Sequence, residues 1–90
     1  MNHGAVVVEV DLGKDISVLS LYGTPLIIYR GREKKATIVA TVQTFTSRTY
    51  VNAFLRAVGF PLEDQMELSR KGRKWLFRGE LVPDSIEVPV

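Results

Sequence analysis

Val51, Phe54, Leu55 and Val58 stand at i, i+3, i+4 and i+7, the spacing of one face of an α-helix. On both sides of them the chain alternates with a period of two or runs through β-branched residues. A chain of this kind has one amphipathic helix to bury and several strands to bury it against. The expected fold is therefore α+β, a curled and mainly antiparallel sheet of about five to six strands packed on one helix over residues 47–58. Thr46 or Ser47 is placed to cap that helix by accepting from a first-turn N–H. Gly59-Phe60-Pro61 ends it, because glycine takes the left-handed position, Phe60 packs back on the last turn and proline blocks continuation.

The strands follow from the period-two stretches. Val6, Val8, Val10 and Leu12 alternate with Val7, Glu9 and Asp11, and Gly13-Lys14-Asp15 reads as a turn. Ile16 to Tyr22 is a second strand, ended by Gly23-Thr24-Pro25, and Leu26 to Arg30 is a third, ended by Gly31. Pro25 has no N–H to donate and belongs at a strand start or an edge. Past the Arg32-Glu33-Lys34-Lys35 tip, Ala36 to Phe45 reads as one long strand forming a hairpin with the third. Gln65 to Ser69 and Lys74 to Val82 read as two more strands around Arg70-Lys71-Gly72-Arg73, with Gly72 supplying the turn's positive φ. Trp75 and Phe77 share one face of the last. Ser85 to Val90 alternates weakly and, with Pro89, is expected at an edge or as a tail.

Ninety residues allow one core and no second domain, so residues 1–90 are expected to form a single domain. A core of this size leaves room for pairing of two chains through an edge strand, and a homodimer is among the expected states. Composition is that of an ordinary globular chain, 46% apolar and 24% charged. The absence of cysteine excludes disulfides, thiolate chemistry and Cys-based zinc sites, and suits a reducing, cytoplasmic location. The single histidine, His3, is terminal. Carboxylates fall in the pairs Glu9/Asp11, Glu63/Asp64 and Glu80/Asp84 without a convergent cluster, and no Gly-rich phosphate loop is present. The expectation is a protein that is not an enzyme and uses no cofactor or metal. No apolar run approaches the roughly 20 residues that span a bilayer, and the N-terminus lacks the pattern of a signal peptide. Abundant Val, Ile, Lys, Arg and Glu without Cys suits a thermophilic host.

Net charge is only +2, but it is segregated. Residues 30–58 carry +5 and residues 70–78 carry +5, while 1–29, 59–69 and 79–90 are each negative. The second block, Arg70, Lys71, Arg73, Lys74 and Arg78 with Trp75 and Phe77 among them, has the chemistry of a nucleic-acid-binding hairpin. Cations neutralise phosphates with release of counterions, and an aromatic face stacks on an unpaired base. The first block adds Arg32, Lys34 and Lys35 at a hairpin tip, and Arg48 and Arg56, which with Asn52 form one stripe on the helix away from its apolar face. The same residues also read as solvated turns and an ordinary polar helix face, with Trp75 and Phe77 turned into the core. An acidic protein surface is the other partner such blocks fit.

The hydroxyl-rich run Thr41, Thr44, Thr46, Ser47 and Thr49 leads from strand into helix. Helix capping accounts for it, and a phosphate held at the helix N-terminus with Arg48 beside it is the competing reading. Tyr22-Gly23-Thr24-Pro25 together with Thr44-x-Thr46-Ser47-x-x-Tyr50-x-Asn52-x-Phe54-Leu55 resembles a group of small phage and plasmid proteins. That group has a Y-G/N-T-P strand, a short variable hairpin and an S-x-T-T-S-x-H-x-N-x-F-L junction. The resemblance spans residues 19–60 and implies a mobile-element origin without an activity, and Tyr50 stands where the group has histidine. Together these features lead to the expectation of a non-enzymatic, nucleic-acid-associated viral or plasmid protein, with a small protein-binding module or inhibitor of a host enzyme or defence complex as the alternative.

Overall fold

The computed structural model describes residues 6–41, 43–61, 64–68 and 74–90. His3, Val42, Glu63, Ser69, Arg70, Lys71, Gly72 and Arg73, which carry roles in the sequence patterns above, lie outside the described residues. The fold is α+β. Strands β1 (Val6–Asp11), β2 (Ile16–Leu21), β3 (Thr24–Arg30), β4 (Lys35–Val39) and β8 (Ser85–Pro89) form one antiparallel sheet in the order β1-β2-β3-β4-β8. Helix α1 (Phe45–Ala57) follows β4. Strands β5 (Glu67–Leu68), β6 (Trp75–Phe77) and β7 (Glu80–Leu81) form a second, small sheet in the order β5-β6-β7.

Register sorts the main sheet into two faces. Ile27 pairs with Ile38 and Ile38 with Ile86, while Tyr29 pairs with Ala36 and Ala36 with Val88, so these residues share the face that meets the helix. There Phe54 of α1 meets Tyr29 edge-on, with ring centroids 6.3 Å apart. The same face continues through Leu19 to Val8, because Ile27 pairs with Leu19 and Leu19 with Val8. A register shift between Leu19 and Ser20 inserts a bulge into this pairing. Its consequence is that consecutive residues Leu26 and Ile27 are both buried, which strict alternation would forbid. Pro25 stands at the start of β3 beside that bulge, where its missing N–H is tolerated.

Three boundaries differ from the sequence expectation. The strand expected from Ala36 to Phe45 ends at Val39, and the helix begins at Phe45 with Thr44, not Thr46 or Ser47, as its N-cap. The Ser47 N–H donates to Thr44 Oγ1 and the Thr44 N–H to Ser47 Oγ, a reciprocal capping box in which serine takes the place usually held by Glu or Gln. The strand expected over Lys74 to Val82 is instead a tight hairpin, with Phe77 paired to Glu80 across Arg78 and Gly79. Both turn residues have positive φ, 54° and 83°, as a two-residue type I′ turn demands. The expected antiparallel sheet is present with five strands, and β5, β6 and β7 form a small second sheet in addition to it. The helix C-terminus is as expected: Gly59 has φ 98°, its N–H donates to Arg56 O and the Phe60 N–H to Leu55 O, the paired bonds of a Schellman motif.

Two side-chain amides hold the small sheet to the rest. Gln43 accepts from the Trp75 N–H through Oε1 (2.6 Å) and donates through Nε2 to Ala40 O and Val82 O. Asn52 accepts from the Met66 N–H (2.7 Å) and donates to Met66 O (3.1 Å), which replaces a strand ladder with a side chain. Between these clamps Trp75, Met66, Ile38, Leu55 and Val51 are fully buried and form the centre of the core.

Candidate functional site

A cleft of about 310 Å³ opens where the β2–β3 turn faces the N-terminus of α1. Tyr22 and Gly23 have φ of 52° and 79°, and Leu21 pairs with Thr24, so the chain reverses in a two-residue turn of the same type as Arg78-Gly79. The bulge behind it turns Leu26 inward, and the early end of β4 at Val39 leaves the space between turn and helix unfilled. Leu21, Pro25, Leu26 and Val39 supply apolar lining, and Tyr22, Thr24, Thr41 and Thr46 supply hydroxyls. Apart from the Tyr22 phenol, no side chain lining the cleft among the described residues is ionisable. Tyr22 is 74% exposed at this position. It holds a left-handed conformation that asparagine or glycine adopts at lower cost.

Two segments that stand out in the sequence thus converge: Tyr22 to Pro25 forms one side of the cleft and Thr44 to Ser47 the other. Their separation along the chain concealed this. The phosphate reading of the same helix end gains no support. Thr44 and Ser47 spend their hydroxyls on each other and on the backbone, and Arg48 does not line the cleft but lies over the Phe45 ring at 5.5 Å.

The cationic residues are spread over the molecule. Arg70, Lys71 and Arg73 are outside the described residues. Lys74 is exposed and precedes Trp75, whose N–H is held by Gln43 at the N-terminal end of the helix. Arg32, Lys34 and Lys35 are exposed at the β3–β4 turn, where the Val90 N–H donates to Lys34 O. That turn is at the other end of β4, roughly 16 Å away along five residues of strand. Arg78 is also at that far end: it makes a two-pronged ion pair with Asp64 (both bonds 3.1 Å) and covers the rings of Phe77 and Phe60. Its guanidinium is therefore occupied within the fold. Trp75 is fully buried and offers no face to a base, while Phe77, the other aromatic of the hairpin, is half-buried beneath Arg78.

On the outer side of α1, Arg48 and Arg56 flank a shallow groove with Phe45, Thr49, Asn52 and Gln65. Two turns of helix put the arginines roughly 12 Å apart along the axis. Asn52, which the sequence placed in this stripe as a polar contact, is committed to Met66. Gln65 Nε2 is buried and has no acceptor among the described residues, and Phe45 is 70% exposed.

Among the described residues no three carboxylates or imidazoles gather to hold a metal ion, and no helix is long and apolar enough to cross a membrane. No protein-family model matches the chain, and neither a curated protein nor a solved structure matches it.

Proposed function

We propose that this protein is a non-catalytic binding module that takes an apolar side chain of a partner protein into the cleft between the β2–β3 turn and α1. The observation that carries this reading is the cleft itself. It joins the Tyr22-to-Pro25 turn to the Thr44-to-Ser47 cap, and among the described residues pairs an apolar lining with hydroxyls and no fixed charge. Such a lining suits a neutral apolar anchor whose neighbouring backbone meets the hydroxyls. Its volume is at the low end for small-molecule sites and matches one or two large side chains. The exposed Tyr22 ring at a position that disfavours it conformationally supports the same reading, since strain of this kind tends to be kept where it serves recognition. On the resemblance to phage and plasmid proteins, the partner is a host enzyme or defence complex.

Tyr22→Asn provides a clean test, because Asn-Gly is the preferred pair for this turn. The variant is expected to unfold at the same temperature as the wild type or higher. Its capture of a stoichiometric protein from nuclease-treated host lysate should fall by about tenfold or more, the effect of losing an aromatic anchor. Thr46→Arg should act likewise, whereas Arg48→Glu with Arg56→Glu should leave capture intact. Capture that follows the arginines and ignores Tyr22 would overturn the cleft reading.

A second reading is nucleic-acid association, favoured by the Arg48/Arg56 groove with its exposed Phe45 and a Gln65 amide that has no acceptor among the described residues, together with the cations of segment 70–74. It predicts oligonucleotide binding whose logarithm falls linearly with log salt, and a shallower slope in Arg48→Glu, Arg56→Glu and in charge reversals at Arg70, Lys71, Arg73 and Lys74. No binding at low salt would reject it.

A further inference from the structure

The two edges of the main sheet are built differently. At one edge β8 carries Glu87 and Pro89, both exposed, and proline and charge are the usual guards of an unpaired strand. At the other, β1 carries valine at four of its six positions, with neither proline nor lysine. Its acids, Glu9 and Asp11, lie on the face away from the helix, as pairing of Glu9 with Val18 and of Val8 with Leu19 requires. On the helix-facing side, Val8 and Val10 are 57% and 58% exposed, although that face continues directly from the core through Leu19 to Ile27. Among the described residues nothing lies beyond β1.

We infer that β1 pairs antiparallel with β1 of a second copy of this chain, about a two-fold axis at Val8, joining the two sheets into one of ten strands. The strand's own charges select this occupant and this register. A two-fold pairing that keeps both helix-facing sides together must centre on a single residue. Centred on Val8, Val6 meets Val10 of the other copy, Val8 meets Val8, and Glu9 meets Val7, so no acid faces an acid. Centred on Glu9, it sets Glu9 against Glu9. Centred on Val10, it sets Glu9 against Asp11. Like charges directly opposite are destabilising. Centred on Val7, it sets the helix-facing Val10 opposite Gly4, so that Val10 loses the valine partner it has in the Val8-centred pairing. Shifting the register by an odd number sends the valines of one copy to the far face of the other. A strand of six residues is a small interface, so the dimer forms in a concentration-dependent way and not as an obligate pair.

The chain has no cysteine, so single thiols can be placed to read the register. Residues opposite one another across an antiparallel pair have Cα atoms about 4.5–5.5 Å apart, within the span of a disulfide. Val8→Cys with oxidised glutathione as oxidant is therefore expected to give disulfide-linked dimer at least about tenfold faster than Val10→Cys, whose two thiols are four residues apart in register. Sedimentation equilibrium of the wild type should show mass rising with concentration towards twice that of the monomer. Val8→Lys should raise the dissociation constant by more than about tenfold, while Glu9→Lys should leave it equal or lower. A wild type that stays monomeric at millimolar concentration, or cross-linking at Val10 that matches Val8, overturns the inference. Neither readout involves the cleft or its partner.

Discussion

Replacing Trp75 with alanine is expected to cost about 3–5 kcal/mol, the range for removing a buried large aromatic. Trp75 is fully buried where the two sheets and the helix meet, with its backbone N–H held by Gln43 and its carbonyl accepting from Val82. Domains have only about 5–15 kcal/mol in total, so the loss is a large share, and at this size it corresponds to a fall in midpoint of roughly 12–40 °C. Trp75→Phe should cost much less. It keeps most of the buried ring and discards an indole N–H that has no acceptor among the described residues. Urea unfolding of both variants beside the wild type checks this. A Trp75→Ala protein within 1 kcal/mol of wild type would mean that the ring is not at the centre of the core.

Gln43→Ala carries the second large effect. It removes three hydrogen bonds, one to Ala40 O within the β4–α1 junction and two that tie the junction to Trp75 and Val82, and leaves the Trp75 N–H without its acceptor. At about 1 kcal/mol for each part-buried bond, a loss of about 2–4 kcal/mol is expected. The loss should be regional. Amide exchange at Met66, Trp75 and Val82 should accelerate while the β2–β3 and β3–β4 ladders keep their protection, because the main sheet does not depend on this side chain. Uniform acceleration across the chain would show that the two sheets open as one unit.

The elements themselves were readable where the pattern is local. The 3.6-residue spacing of Val51 to Val58 located the helix, and Gly59-Phe60-Pro61 its end, because apolar periodicity and a left-handed glycine are properties of neighbouring residues. Hydroxyls at 44, 46 and 47 are all competent caps, and only the register of the first turn decides that Thr44 accepts and Ser47 reciprocates. The break in Lys74 to Val82 was marked by Gly79, but Arg is an unusual first residue for such a turn and the apolar run hid it. Position 78 was therefore read as a free cation on a strand, when it is in a turn and paired with Asp64.

Other features depend on residues far apart. Asn52 reads as one more polar position on a helix face until Met66, fourteen residues on, presents its backbone to it. The bulge that buries Leu26 beside Ile27 is set by the pairing of β2 with β3, and leaves no mark on the β3 sequence alone. The cleft is of the same kind: Tyr22 to Pro25 and Thr41 to Ser47 each attracted notice, as a turn and as a cap. Their meeting depends on where β4 ends and which way α1 departs.

Methyl and amide NMR of the protein titrated with N-acetyl-phenylalanine amide tests the cleft most directly, since that probe carries one aromatic side chain between two peptide groups and no charge. Saturable shifts confined to Leu21, Leu26, Val39 and Thr46, and lost in Thr46→Arg, are the predicted result. Shifts that do not saturate, or that gather on the Arg48/Arg56 face of the helix, would contradict the proposal that this protein works by taking an apolar side chain into the cleft.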